Sequence, residues 1–252
     1  AIPTQAKAIE VLRREWNEAM DALRPGVLAL DAPIYAWTWS TEKEELVYAA
    51  MTEGQARRLK LAQAAAELLE IAPDDNEVQR LAAMSLAEAA TADAPAYRLE
   101  DDSSWATALL KTLPPQAWEQ GLVEAVRRER VYALLGLLQM LGTSGDERLL
   151  IPTAGEQRIV TRMLSHPHPR VRAQAVDTVL KLAPTNSFAG SSQVIEALRG
   201  LVQMRERPSV FVVDPKPSRA RQTAMLLRQA GWEAVEGFNE QELNRRLSEV
   251  SN

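Results

Sequence analysis

The apolar positions of this chain recur mainly at intervals of three and four residues, most clearly between residues 156 and 183. That interval predicts amphipathic helices, each with one buried face. Prolines 167 and 169 divide the segment into two helices, because each removes a backbone donor and disfavours helix at the residue before it. We expect the pair to stack between similar pairs, since each helix buries one stripe only. The predicted inward residues are Ile159, Val160, Met163 and Leu164 in the first helix, and Val171, Ala175, Val176, Val179, Leu180 and Leu182 in the second.

Similar helical patterns predict a mainly α-helical domain over residues 55–206, made of stacked helix hairpins. Helices are expected at residues 55–71, 76–92, 115–128, 131–141 and 193–204, with an insertion loop and a short helix between 91 and 113. Val131 precedes Val171 by 40 residues, and the same offset carries Leu135 to Ala175. Such a period is typical of HEAT-type helical arrays. The last helix is expected to close the stack by burying Val194, Ile195, Leu198, Leu201 and Val202.

The first 54 residues are predicted to form an N-terminal region with a helix at residues 4–23. Residues 27–39 are read as a strand or as an irregular segment packed on the helices, and the irregular segment is favoured. In the extended form Trp37 and Trp39 share one side, which makes them candidate aromatic docking residues. Thr41 and Glu44 stand at capping-box spacing and predict the start of another helix.

From residue 207 to 252 the pattern changes to strand, helix, strand, helix. The segment 209–214 is short, β-branched and apolar, as in a buried parallel strand. A helix at 217–230, a strand at 232–236 and a helix at 239–250 are expected to follow. We predict parallel pairing of the two strands through a right-handed crossover.

The sequence Pro169-Arg170-Val171-Arg172, followed by Ala175, resembles the second helix of a HEAT repeat of the kind found in bacterial α-solenoid proteins. The resemblance implies a right-handed solenoid that serves as a scaffold or docking surface, with Arg172 in the place of the family's stacking arginine. An unrelated helical hairpin with a basic exposed face is the alternative. Alanine-rich helices at residues 55–92 also keep tetratricopeptide repeats open there.

The last 43 or so residues resemble the first half of a response-regulator receiver domain, with Leu227 and Gly231 in the turn before strand two. Asp214 matches one of that family's magnesium-holding acidic residues, but Pro215 stands where a second acid is usual. The family's phosphate-accepting aspartate would lie beyond Asn252. The resemblance therefore implies a degenerate receiver, with either a homodimer through the free strand edge or a longer protein that supplies a third strand.

Composition limits the partners. The 252 residues are 46% hydrophobic and carry a net charge of −5, so no overall positive field attracts nucleic acid. A nucleic-acid surface would need a cluster of arginines, for which one set of five is available. No apolar run approaches the ~20 residues of a membrane helix. Without cysteine the compartment stays open, with the cytoplasm favoured over export. The five basic candidates for an interaction surface are Arg127, Arg128, Arg130, Arg170 and Arg172.

Candidate chemistry is sparse. His166 and His168 are the only histidines, and they flank a proline turn without a carboxylate at a supporting spacing. Exposed turn residues are favoured over a metal pair or a catalytic base. We therefore expect no catalytic residue, cofactor or metal, and a protein–protein interaction scaffold with a degenerate receiver-like module. The alternatives are a signalling protein whose complete receiver is phosphorylated and a HEAT-like nucleic-acid-binding protein.

Overall fold

A computed structural model describes residues 5–23, 33–40, 45–92, 99, 104–152, 157–182, 184–185, 187–203 and 209–237, with the backbone alone for 33–40, 45–49, 203, 209 and 233. These ranges are mainly helical, as predicted. The elements are α1 Gln5–Asp21, β1 Pro33–Ser40, β2 Glu45–Thr52, α2 Glu53–Ile71, α3 Asn76–Ala92, α4 Trp105–Thr112, α5 Pro115–Arg127, α6 Val131–Thr143, α7 Ile159–Arg162, α8 Pro169–Leu182, α9 Ser191–Gln203, β3 Ser209–Val213, α10 Pro217–Gln229 and β4 Glu233–Gly237, with 3-10 helices at Glu147–Leu150 and Met163–Ser165.

Three helices, α3, α6 and α8, form a central row in which each packs on the next. α2 and α5 flank α3, α1 covers α2, and α9 lies on α8 and the 3-10 helix before it. Every residue of α6 from Ala133 to Gly142 is buried, because α3, α5 and α8 surround it. The row follows the order of the chain.

Helix boundaries match the prolines and caps of the sequence. The carboxylate of Asp75 accepts hydrogen bonds from the backbone amides of Glu77 and Val78, 2.8 and 3.3 Å long, at the start of α3. Pro115 and Pro169 are the first residues of α5 and α8. Proline suits that position because its missing donor would have no partner in the helix.

The segment before α2 corrects two predictions. Residues 33–40 and 45–52 pair as antiparallel strands, with Trp37 opposite Tyr48 and Trp39 opposite Leu46, rather than forming an irregular segment. The helix predicted from Thr41 and Glu44 is wrong, since β2 runs to Thr52 and α2 begins at Glu53. The capping box is formed by Thr52 and Gln55 instead, each side chain bonding the other's backbone amide. β-branched and aromatic residues in alternation outweigh a capping pattern here.

The end of the helical stack corrects further predictions. Ile195, Leu198 and Val202 on α9 are exposed by 56, 42 and 83%, whereas the expectation was that they point inward. Among the described residues of α9, Ala197 is the buried one, because α9 contacts α8 through the face that carries Ala197. No helix of the described chain covers the other face of α9. Leu180 of α8 is also exposed. The helix predicted before the proline turn is shorter than expected, although its four apolar residues are buried.

The C-terminal unit consists of β3, α10 and β4. The two strands are parallel, with Val210 opposite Ala234 and Val212 opposite Glu236. α10 covers one face of this two-stranded sheet with Ala220 and Ala224, which are fully buried. The parallel pairing is therefore confirmed. The helix predicted at 239–250 lies outside the described residues.

Two helical glycines give a matched test of the packing. A Cβ at Gly136 of α6 would lie 2.5 Å from Thr91 Oγ1 and 3.0 Å from the carbonyl oxygen of Ala87, whereas a Cβ at Gly200 of α9 would meet nothing within 4 Å. We expect Gly136→Ala to lower the free energy of unfolding by about 1–3 kcal/mol through overpacking. Gly200→Ala should raise it by up to ~1 kcal/mol through helix propensity. Urea unfolding followed by circular dichroism measures both, and equal effects would contradict the close contact of α3 and α6.

Candidate interaction surface

Arg130 lies in a buried ionic cluster around Glu88 of α3. The Glu88 side chain is 3% exposed and accepts a 2.6 Å hydrogen bond from Arg130 Nη2 to its Oε1. Arg58 Nε of α2 lies 3.4 Å from Oε1, and the backbone amide of Ala133 donates to Oε2 at 3.2 Å. Arg130 Nη1 also donates to the carbonyl oxygen of Leu23 after α1. Arg130, 11% exposed, thus joins helices rather than facing solvent.

Arg127 and Arg128 are held by Glu124 of α5. Burial by itself raises the pKa of the Glu124 carboxyl, but hydrogen bonds and attraction from the two guanidiniums outweigh it, so the pKa is lowered. Arg127 Nη2 and Arg128 Nε each lie 2.5 Å from Glu124 Oε1. Arg128 also stacks over the ring of Trp16, 4.9 Å from its centroid. Arg127 alone of this pair keeps a largely exposed side chain.

The proline turn holds Arg172. Its Nη1 donates to the carbonyl oxygens of His166 and Pro167, 2.8 Å from each, so it satisfies the end of the preceding helix. Arg170 is exposed. The five predicted arginines therefore do not form one free basic face. Arg127 and Arg128 bind Glu124, Arg130 binds Glu88, Arg172 binds the end of the preceding helix, and Arg170 is exposed.

The two remaining sequence candidates lie elsewhere. Trp37 and Trp39 lie on β1, opposite Tyr48 and Leu46 of β2 in the strand register. Asp214 follows β3, where its Oδ1 accepts from the backbone amide of Lys216 at 2.8 Å and its Oδ2 lies 3.2 Å from Arg219 Nε. These contacts fix the turn into α10.

In the described chain, large exposed apolar side chains are concentrated after residue 190. In α9, Ile195, Leu198 and Val202 follow one another at intervals of three and four residues and form a single stripe. We call these three residues the α9 stripe. Arg199 is exposed one turn from Ile195 and flanks the stripe. The other exposed members of this region are Val213, Met225, Leu226 and Trp232.

A second apolar feature lies at the opposite end of the stack, between α1 and α2. It is a groove of about 540 Å³ with charged residues at its rim, and we call it the α1–α2 groove. Within the described chain no ion pair involves the rim residues. The lining consists of Lys7, Ala8, Val11 and Leu12 from α1 and Glu67, Glu70 and Ile71 from α2.

Metal and membrane features were sought in the same residues. In the described ranges no three His, Asp or Glu side chains converge as metal ligands. None of the described helices is long and apolar enough to cross a bilayer. Comparisons with protein-family models, curated proteins and solved structures gave no match.

The buried cluster yields a stability prediction. Glu88→Gln leaves two buried guanidiniums without their counter-charge, so we expect a loss of about 3–5 kcal/mol in the free energy of unfolding. Asp177→Asn breaks the exposed Asp177–Lys181 pair and should change it by less than ~1 kcal/mol. Chemical denaturation of both variants measures the difference. A Glu88→Gln variant as stable as Asp177→Asn would mean that the cluster is not a link between helices.

The proline turn yields a pH prediction. Burial, followed by the positive charge of Arg170 and Arg172, lowers the pKa of His168 from its ordinary value near 6.5. A lowered folded-state pKa means that the unfolded chain binds the proton more readily, so stability falls as the pH drops below about 6.5. We expect His168→Asn to show a smaller loss of melting temperature between pH 7 and pH 5 than the unmodified chain. An identical loss would contradict a contribution from this histidine.

Proposed function

We propose that this protein is a non-catalytic scaffold for protein–protein contacts, built from HEAT-like repeats and a degenerate receiver-like module. The supporting observation is the distribution of exposed large apolar side chains. Seven of the eleven in the described residues lie between positions 195 and 232, on α9 and the β3–α10–β4 unit. Three of the seven form the α9 stripe on one helix face, and neighbouring exposed apolar side chains mark interaction sites, whereas scattered ones do not.

The order of the helices supports the HEAT-like solenoid in this proposal. Val131 and Val171, 40 residues apart, occupy the first turns of α6 and α8, and these two helices pack together. Thr178 Oγ1 donates across the contact to the carbonyl oxygen of Leu138 at 2.8 Å, again with a 40-residue separation. Repeated layers of this type create extended surfaces suited to partner proteins.

The receiver-like unit offers two more surfaces. Met225 and Leu226 are exposed by 57 and 60% on the side of α10 away from the sheet. Within the described chain the sheet has two strands, so β4 presents an edge that a second copy or a third strand from a longer protein would fill. Both surfaces favour association over chemistry.

Two alternatives have less support. Phosphorylation would require the rest of a receiver beyond this chain, and Asp214 is committed to Arg219 and the turn into α10. Nucleic-acid binding would require free arginines, but Arg128 and Arg130 are tied to Glu124 and Glu88. The scaffold is therefore the proposal that uses the exposed residues.

A photo-cross-linking amino acid at Leu226 tests the proposal in cells of the source organism. We expect discrete protein adducts at position 226 that Met225→Glu removes, because a charge on the same patch opposes burial. Lys60, exposed on α2, is the control position. The same adducts from positions 60 and 226, or no adduct sensitive to Met225→Glu, would contradict a binding role for α10.

A further inference from the structure

The two ends of the helical stack carry complementary apolar features. At one end lies the α1–α2 groove, lined by Val11, Leu12 and Ile71, and at the other lies the α9 stripe. A groove between two helices accepts a third helix whose apolar residues are spaced by three and four positions. The stripe has that spacing.

The stripe runs over eight residues, from Ile195 to Val202, and its first and last residues are about 10 Å apart along the helix axis. Leu198 stands at its centre, so one leucine can enter the groove while Ile195 and Val202 rest at its ends. Ala8 in the groove wall has a small side chain and leaves room for this approach.

The groove is lined by two carboxylates and one lysine, Lys7, whereas the charged residue that flanks the stripe is an arginine. Glu67 and Glu70 on α2 lie at the rim of the groove, exposed and one turn apart. Arg199 flanks the stripe on α9 and is likewise exposed. In the described residues none of the three takes part in an ion pair. An arginine set beside two carboxylates favours one register and raises the rate of encounter.

We propose that the α9 stripe of one copy of this chain docks in the α1–α2 groove of a second copy. The contact is head-to-tail, because its two halves are different surfaces, and it extends the helical stack from one molecule into the next. It rests on the proposed scaffold function and names one partner for it. The small area of a single helix in a groove predicts weak association that grows with protein concentration.

An isologous contact between two α9 stripes is the competing arrangement, since it would cover the same leucine. It leaves the α1–α2 groove empty and sets Arg199 beside no acidic rim. A mixture of two defective variants separates the arrangements. Leu198→Asp removes the stripe and keeps the groove, whereas Val11→Asp removes the groove and keeps the stripe.

Sedimentation velocity at rising concentration of the whole chain measures the association. We expect the unmodified chain to self-associate and each variant alone to do so roughly tenfold or more weakly. An equal mixture should form a dimer and stop there, because only one competent interface remains. Val123→Asp, at an exposed valine on α5, is the control and should behave like the unmodified chain.

Charge reversal provides a test that does not depend on buried positions. Glu67→Lys with Glu70→Lys should weaken self-association, and adding Arg199→Glu to the same chain should restore it. Circular dichroism and melting temperature report the folding of every variant.

A chain that stays monomeric at all concentrations overturns head-to-tail docking, as does self-association that either Val11→Asp or Leu198→Asp leaves unchanged. The second result would assign the contact to another surface, such as the β4 edge. Either result leaves the scaffold proposal to the cross-linking from α10, which uses a different face.

Discussion

The helical stack depends most on the contacts that the Glu88 carboxylate makes. It lies on α3 but binds Arg58 of α2, Arg130 before α6 and the first-turn amide of Ala133, so one side chain joins three helices. Arg130 extends the link to the end of α1 through Leu23. Burying a charge is costly, and the cost is offset only while every partner is present. The cluster therefore specifies the mutual position of these helices more than it adds net stability.

The helices could be predicted where capping residues and prolines agreed with the spacing of the apolar residues. Asp75, Pro115 and Pro169 mark starts that the structure keeps, because caps and prolines act through the local backbone. The pairing of residues 33–40 with residues 45–52 was not predicted, because each strand is stabilised by its partner strand and not by its local sequence. The role of the arginines was also hidden. Arg130 looks like a surface residue in the sequence, and its partner Glu88 is 42 positions away.

Periodicity reports an amphipathic face but not what covers it. Val171 and Ala175 of α8 lie four residues apart, as do Leu198 and Val202 of α9, yet the first pair is buried and the second is exposed. The difference lies in the neighbours, because α8 is enclosed by α6 and α9 whereas α9 has contacts on one side. The sequence of a terminal helix therefore shows that one face is apolar, but it does not show which partner covers that face.

This distinction relates the candidate surfaces to one another. Of the five candidate arginines, Arg128, Arg130 and Arg172 bind carboxylates or a helix end, and the proposed binding therefore relies on the exposed apolar residues at the ends of the stack and on α10. In a layered helical protein the ends differ from the sides, because each end exposes a helix face against which a further layer can pack. An exposed end face with the apolar spacing of a packed helix can be covered by the end of a second stack. The contact proposed between molecules would therefore use the same kind of helix packing that joins α3, α6 and α8 within one chain.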